Sequence, residues 1–138
     1  RGIVRDLQKG ASLYMWREFF PNAQIYGADI LPETIFEDER IKTYLCDETK
    51  KEDLTKLIEA TGSDIDLFID DGSHHLKDQV FTCQTLIPLL KKDVIYVIED
   101  VAHSRALVRE LIEYECWVPP ISRLGGDDQL VVVKNKQK

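Results

Sequence analysis

The sequence predicts an α/β fold built on a doubly wound, mostly parallel sheet that is closed by a C-terminal antiparallel hairpin. Short apolar runs alternate with amphipathic segments, and acidic residues follow the apolar runs directly. Continuous apolar runs are typical of parallel strands buried on both faces, and helices between them indicate right-handed crossovers. Near the C-terminus, two β-rich stretches flank a pair of glycines, which predicts the hairpin.

Four apolar stretches are predicted as strands of this sheet, and residues 41–46 alternate enough to suit a position near its edge. They are residues 25–30, 41–46, 65–69 and 94–98. In the hairpin, residues 116–122 and 129–133 are the predicted strands, and Leu124 to Asp127 form the turn.

Four segments between the strands carry apolar residues at helical spacing, and we predict them as helices. They are residues 12–20, 51–61, 78–90 and 103–114. Gly62 suits the C-cap of the second helix, and Pro88 is expected to tighten or kink the last turn of the third. Trp16, Phe19 and Phe20 are expected to pack in the core or against the helix rather than stack on a ligand.

Composition and charge limit the classes of function. With 138 residues, 43% hydrophobic and 31% charged, the chain has a globular composition and enough length for one core. A net charge of -7 argues against nucleic-acid binding and favours a small-molecule partner. No apolar run reaches about 18 residues and no signal peptide is evident, so we expect a cytoplasmic protein that binds no membrane. Its three dispersed cysteines predict free thiols, and an exposed sheet edge favours homo-oligomers.

Acidic residues stand where the predicted strands end, which is where ligands bind in open α/β sheets. They are Asp29, Asp47, Asp70, Asp71, Glu99 and Asp100. Carboxylates at one edge repel one another, and a hard divalent cation such as Mg²⁺ would relieve that repulsion. Asp71, Glu99 and Asp100 come from neighbouring strand ends and are expected to share one ion. The alternative is that these acids cap the helices that follow or fix the turn at Gly72.

Histidines and two further acids extend this candidate site. His74 and His75 follow the predicted strand end, and a neutral imidazole there suits a general base, for which we prefer His74. The alternative for the pair is an exposed surface position, and His103 is expected only to start a helix. Asp29 is expected to accept hydrogen bonds from ribose hydroxyls or to be a solvated turn acid. Asp47 is expected to cap the next helix or to reach the adenine end of a ligand.

Three stretches also carry a family resemblance, namely residues 9–30, 66–80 and 95–101, of which DDGSHH followed by IED is fairly specific. In these stretches the chain resembles the class I S-adenosylmethionine-dependent methyltransferases. More narrowly, it is similar to the metal-dependent macrolide-sugar O-methyltransferases and the CmcI-like proteins of cephalosporin biosynthesis. The resemblance extends over nearly the whole chain and implies a single Rossmann-like methyltransferase domain over residues 1–138.

The resemblance implies an S-adenosylmethionine-dependent O-methyltransferase that acts on a small hydroxylated acceptor with Mg²⁺ assistance. It implies that the metal ligands are Asp71, Glu99 and Asp100, and that His74 is the catalytic base. The residues that it implies for the cofactor site are Gly10, Ser12, Asp29 and Asp47. We add Asp70, from the same row of strand-end acids, as a further cofactor-binding residue.

Two alternatives stay open. The family's first strand carries an acidic residue and a glycine, whereas residues 4–8 here have Asp6 where the glycine is expected. A side chain there would hinder the cofactor, which leaves open a degenerate, noncatalytic binding domain that kept the fold. The family has additional N-terminal structure, so an N-terminal truncation is also left open. A nicotinamide-dependent oxidoreductase is disfavoured because no GxGxxG follows the first predicted strand.

Overall fold

The computed structural model describes residues 10–120 and 129–137. The chain divides into two compact units, with the boundary between Asp47 and Glu48. The predicted first strand at residues 4–8 and the predicted hairpin turn lie outside the described residues. The prediction of a single domain stays a prediction.

The N-terminal unit contains one α-helix, a short 3₁₀ turn and a three-stranded sheet. Its elements are α1 (Ala11–Phe19), β1 (Ile25–Asp29), the 3₁₀ turn (Pro32–Thr34), β2 (Glu37–Asp38) and β3 (Ile41–Leu45). The strand order is β1-β3-β2, in which β1 runs parallel to β3 and pairs Ile25 with Ile41. These two isoleucines are buried and form part of the unit's core.

Trp16, Phe19 and Phe20, at the end of α1, pack on one another and are not part of a buried core. The rings of Trp16 and Phe20 stack with centroids 5.9 Å apart, and Phe19 meets Phe20 edge to face at 4.8 Å. Phe19 is 69% exposed, and α1 has no buried residue. Of the two expected placements, packing along the helix is therefore the one observed.

The C-terminal unit contains three α-helices, a second 3₁₀ turn and a four-stranded sheet. Its elements are α2 (Lys51–Thr61), β4 (Leu67–Asp70), α3 (Leu76–Leu86), the 3₁₀ turn (Ile87–Leu89), β5 (Ile95–Val101), α4 (Ser104–Glu110), β6 (Glu115–Trp117) and β7 (Gln129–Lys134). The strand order is β4-β5-β7-β6, with β4 parallel to β5 and β7 antiparallel to both of its neighbours.

Both sheets are mixed, so the prediction of a mostly parallel sheet was wrong at this level of detail. Only β1–β3 and β4–β5 pair in parallel among the described strands. Parallel pairing needs a long crossover, whereas β2 and β3 are joined by Glu39 and Arg40 alone, which forces an antiparallel pair. Arg40 adopts the left-handed conformation that such a tight connection requires, with φ 58°. The strands β6 and β7 pair as predicted, and their connection lies outside the described residues.

Apart from the helix at residues 51–61, the predicted elements have different bounds in the structure, and three of the differences concern α3, α4 and β5. The helix predicted from Asp78 starts at Leu76 and ends at Leu86, and the 3₁₀ turn that follows contains Pro88, which tightens the chain as expected. The helix predicted to reach Tyr114 ends at Glu110. The strand predicted at residues 94–98 continues beyond Ile98, so Glu99 and Asp100 lie inside β5 and not after it.

Aliphatic side chains from the helices and from β5 and β7 form the core of the C-terminal unit. Its most buried members include Leu54, Leu86, Ile98, Leu107, Leu111, Val131 and Val133. Cys46 and Cys83 are buried free thiols and Cys116 is a half-buried one, in agreement with the prediction. None of the helices within residues 10–120 and 129–137 is both long and apolar enough to cross a lipid bilayer.

Shortening Leu86 tests this core. Because Leu86 is fully buried on α3, Leu86→Ala leaves a cavity and is expected to lower the free energy of unfolding by about 2–5 kcal/mol. Ile112 is 73% exposed, and Ile112→Ala is expected to change it by less than about 0.5 kcal/mol. Urea unfolding followed by circular dichroism measures both, and equal losses for the two variants would contradict the assigned core.

Candidate active site

The parallel pairing of β4 with β5 gathers the acidic residues of the C-terminal unit at one end of these two strands. Asp70 pairs with Ile98, so Asp71 follows β4 at the level where Glu99 and Asp100 continue β5. One ligand atom each from Asp71, His74 and Asp100 lie within 4.8 Å of one another. The His74 Nε2 atom is 3.3 Å from Asp100 Oδ2. Two of the three predicted metal ligands and the predicted base therefore meet at this edge.

An irregularity in β5 affects the orientation of Asp100. The register between β5 and β7 shifts between Ile98 and Val101. Within the shift, Asp100 has φ 52°, in the left-handed region that is uncommon for residues other than glycine. Bulges of this kind redirect side chains and are frequent beside active sites. The hydrophobic pattern of the strand carries no signal for this bulge, which is why the sequence analysis did not predict it.

Glu99 is the remaining predicted ligand, and its carboxyl interacts with that of Asp71. Glu99 is half-buried, and its backbone carbonyl accepts a hydrogen bond from Gln79 Nε2 at 3.3 Å. Partial desolvation and then the neighbouring Asp100 carboxyl raise the pKa of Asp71, while the hydrogen bond with Glu99 lowers it. A bound cation would relieve the repulsion between neighbouring carboxylates that helps to raise such a pKa.

Asp70, and not Asp71, fixes the turn at Gly72 after β4. The alternative considered for Asp71, that it fixes this turn, therefore applies to Asp70. The Asp70 Oδ1 atom accepts the Gly72 backbone N–H at 3.1 Å. The next backbone N–H, that of Ser73, donates to the Glu48 carboxylate. Ser73 Oγ donates to Asp78 Oδ2 at 2.6 Å. The sequence analysis missed Glu48, because a glutamate shortly before a helix carries no signal for a contact 25 residues away.

Asp70, predicted to bind the cofactor, is a buried carboxyl that is 5% exposed. Within the described part of the chain, its Oδ2 atom and the hydroxyl of the fully buried Tyr96 have no hydrogen-bond partner. Burial, followed by the charge of Glu48, raises the pKa of Asp70 to about 7. Burial, followed by the charge of Asp70, also raises the pKa of the Tyr96 hydroxyl, so the two buried groups lie close together.

The other predicted cofactor-binding residues belong to the N-terminal unit. Gly10 stands at the N-cap of α1 with φ 70°, and a side chain there would overlap the ring of Phe36. Ser12 is exposed in the first turn of α1. Both Gly10 and Ser12 are thus at the start of a helix, where backbone N–H groups face outward.

Asp29 is the last residue of β1, and Asp47 follows shortly after the end of β3. Asp29 is exposed, and its Oδ1 accepts the Leu31 backbone N–H at 3.1 Å, which is the geometry of a turn acid. Its remaining carboxylate capacity is exposed to solvent. Asp47 is half-buried, and the N-cap position of α2 is occupied by Lys50.

The other two histidines are exposed residues that precede helices. His75 is the N-cap of α3, and His103 is the N-cap of α4, the helix-entry position expected for it. Neither makes a side-chain capping hydrogen bond. His74 is therefore the histidine that contacts the acidic group.

The raised pKa of Asp70 predicts a pH dependence of stability. Between pH about 4 and about 7 the folded state binds the proton more tightly than the unfolded state, so stability falls as pH rises through this range. Asp70→Asn keeps an acceptor for Gly72 N–H and stays neutral, so it is expected to remove this fall and to add on the order of 1–4 kcal/mol at pH 8.

Urea unfolding between pH 4 and pH 8, with a chelator present, measures this effect. Asp93 is exposed, so Asp93→Asn is the matched control and is expected to follow the wild-type pH profile. An unchanged pH slope in Asp70→Asn would show that Asp70 is ionised in the folded state.

Comparison with known proteins finds sugar O-methyltransferases. The chain is 37% identical over 95 residues to the 8-demethyl-8-alpha-L-rhamnosyl tetracenomycin-C 2'-O-methyltransferase of Streptomyces olivaceus, which covers 69% of this chain and 25% of that protein. It is 38% identical over 91 residues to the mycinamicin VI 2''-O-methyltransferase of Micromonospora griseorubida, covering 66% of this chain and 23% of that protein. The chain therefore spans about a quarter of the length of these curated relatives. No family model matches it.

The solved structures that resemble this chain are also methyltransferases. The MycE methyltransferase from the mycinamycin biosynthetic pathway, solved in complex with Mg and SAH, has a TM-score of 0.71 at 27% identity, covering 91% of this chain and 40% of that one. A SAM-dependent methyltransferase from Anabaena variabilis has a TM-score of 0.65 at 13% identity, covering 93% and 74%, which supports the fold alone. The chain thus has an α/β methyltransferase fold and, as its sequence predicted, is related to the sugar O-methyltransferases.

Proposed function

We propose that this protein is an S-adenosylmethionine-dependent O-methyltransferase that methylates a hydroxyl group of a small acceptor with the assistance of Mg²⁺. The observation that carries the proposal is the convergence of Asp71, His74 and Asp100 at the end of two parallel strands. Relatives that methylate sugar hydroxyls of tetracenomycins and mycinamicins support the reaction class. A glycosylated small molecule is accordingly the acceptor class that we propose.

The proposed metal ligands are Asp71, Glu99 and Asp100. Mg²⁺ prefers oxygen ligands at about 2.1 Å in an octahedron, so its ligand atoms lie about 3–4 Å apart. Asp71 and Asp100 each offer an oxygen atom within 4.8 Å of the other, and the Glu99 carboxyl interacts with that of Asp71. The donor set of carboxylates suits a hard cation. Partial desolvation, followed by the neighbouring Asp100 carboxyl, raises the pKa of Asp71, and a bound cation would favour its ionised form. When bound, Mg²⁺ supplies a Lewis acid that lowers the pKa of an acceptor hydroxyl, and S-adenosylmethionine supplies the methyl group.

His74 is the proposed catalytic base. Its side chain is 60% exposed, so an acceptor molecule has access to it. Donation from Nε2–H to Asp100 Oδ2 would hold the imidazole in the tautomer whose Nδ1 accepts a proton. In this arrangement Asp100 orients the base, and the imidazole takes the proton that leaves the acceptor hydroxyl.

For the cofactor we propose Gly10, Ser12, Asp29, Asp47 and Asp70. Asp29 retains a solvent-exposed carboxylate oxygen that is available to ribose hydroxyls. The unpartnered Oδ2 atom of Asp70 is a second polar group without a satisfied hydrogen bond. Within the same proposal, residues 1–138 form a single Rossmann-like domain whose doubly wound sheet ends in the C-terminal hairpin.

The noncatalytic alternative depends on Asp6, which lies outside the described residues. A domain that had lost catalysis would have no need for a histidine beside an acidic cluster, so the described residues favour the enzyme. Cofactor titration distinguishes the two possibilities.

The first test of the proposal is binding. Isothermal titration with S-adenosylhomocysteine is expected to give heat, and Mg²⁺ is expected to bind in the same preparation. Asp100→Asn removes one carboxylate charge from the proposed metal centre and is expected to weaken Mg²⁺ binding by about 10-fold or more while leaving the cofactor titration intact. Absence of heat and of any thermal shift with either ligand would remove the proposal.

The second test asks whether His74 is a base or a metal ligand. With methyl transfer from labelled S-adenosylmethionine to mycinamicin VI as the assay, His74→Ala is expected to lower kcat by about 10²–10⁴-fold with unchanged Mn²⁺ affinity. Loss of Mn²⁺ affinity in this variant would instead make His74 a ligand. His75→Ala, at the exposed neighbouring histidine, is the control and is expected to retain activity within about twofold.

A further inference from the structure

A carboxylate outside the proposed metal centre contacts the loop that carries the metal ligand Asp71 and the proposed base His74. Glu48 is half-buried before α2, and its side chain accepts the backbone N–H of Ser73. Ser73 lies between Asp71 and His74 in the chain, so this hydrogen bond fixes the peptide that separates them. A hydrogen bond from a peptide N–H to an ionised carboxylate is among the stronger kinds in proteins.

Gly72 allows the close approach of Glu48 to the loop. A methyl group built on the Gly72 Cα atom would overlap the carboxylate of Glu48. The backbone of Gly72 does not have a positive φ, so a side chain at this position would conflict with the Glu48 carboxylate and not with the backbone conformation. The loop sequence and the position of Glu48 are therefore matched to each other.

Further contacts hold both partners of this hydrogen bond. The Glu48 backbone carbonyl accepts a hydrogen bond from the hydroxyl of Thr82, a buried residue of α3, at 3.3 Å. On the loop, Ser73 Oγ donates to Asp78 Oδ2 at 2.6 Å and accepts the His75 N–H at 3.2 Å. The peptide at Ser73 is thus fixed from two sides, by Glu48 and by the first turn of α3.

Glu48 also interacts with Asp70, the buried acid that fixes the start of the same loop. The Asp70 carboxyl accepts the Gly72 N–H, and the Glu48 carboxyl accepts the Ser73 N–H. Two neighbouring acids therefore hold two successive peptide groups of the loop that carries Asp71 and His74.

We propose that Glu48 is a positioning residue for the metal centre: by holding the Ser73 peptide, it fixes the loop that carries the metal ligand Asp71 and the proposed base His74. This role rests on the proposed function, because it concerns the same loop. Neighbours that orient metal ligands through hydrogen bonds change metal affinity by about 10–100-fold when they are removed.

Two substitutions at position 48 separate positioning from charge. Glu48→Ala removes the acceptor, whereas Glu48→Gln keeps a carbonyl oxygen for the Ser73 N–H and removes the charge. Mn²⁺ affinity, measured by electron paramagnetic resonance on the full chain, is expected to fall about 10-fold or more in Glu48→Ala and to stay within about threefold of the wild type in Glu48→Gln. Glu59→Ala, at an exposed glutamate of α2, is the control.

A second measurement does not depend on the metal. The Ser73 amide is expected to exchange slowly with solvent in the wild type and in Glu48→Gln, and at least 10-fold faster in Glu48→Ala, as followed by NMR. Gly72→Ala, which displaces the carboxylate without deleting it, is expected to match Glu48→Ala in both measurements. Thermal melting verifies that each variant is folded.

The outcomes distinguish this proposal from the proposed function. Equal Mn²⁺ affinity and equal Ser73 exchange in the wild type and a folded Glu48→Ala would overturn the positioning role. Equal losses of affinity in Glu48→Ala and Glu48→Gln would overturn it as well, since charge and not the hydrogen bond would then govern binding. A wild type without Mn²⁺ affinity would contradict the proposed function, and the Ser73 amide would still decide whether Glu48 holds the loop.

Discussion

Repulsion among carboxylates that parallel strand pairing brings together is the constraint on which this site depends. The register of β4 with β5 carries Asp71, Glu99 and Asp100 to one end of the C-terminal sheet, where each negative charge disfavours the others. The fold has to hold these groups against that repulsion. It does so with a left-handed residue at a bulge in β5 and with hydrogen bonds to successive peptide groups of the loop after β4.

The adjacent acids Asp70 and Asp71 have opposite environments because side chains alternate across a strand. Asp70 is buried beside Tyr96 and has a pKa raised to about 7, so near neutral pH it is present partly as the neutral acid. Asp71 is exposed at the edge of the sheet and is available to a cation. Asp70 thus fixes the turn from the interior, and Asp71 lies with the other proposed metal ligands, Glu99 and Asp100.

The sequence was sufficient to predict those features that leave a local signal. Hydrophobic periodicity predicted the four helices and the main strands, and the position of acids after apolar runs predicted where Asp71 and Asp100 would meet. It could not predict β2, since the exposed pair Glu37 and Asp38 has no apolar pattern. Glu48 was equally hidden, because its role arises only from a contact made after folding. The same holds for the conformation of Asp100, which no glycine marks in advance.

The charge of the proposed metal centre bears on the acceptor class that we propose. The chain carries a net charge of -7, and the proposed metal centre alone contributes three carboxylates. A single divalent cation neutralises only two of those charges, so an anionic acceptor would still meet net repulsion at the site. A neutral polyhydroxylated acceptor would not be repelled in this way, and its hydroxyl oxygens are ligands that Mg²⁺ accepts. The electrostatics of the described residues and the sugar hydroxyls used by the relatives therefore point to the same chemical class of acceptor.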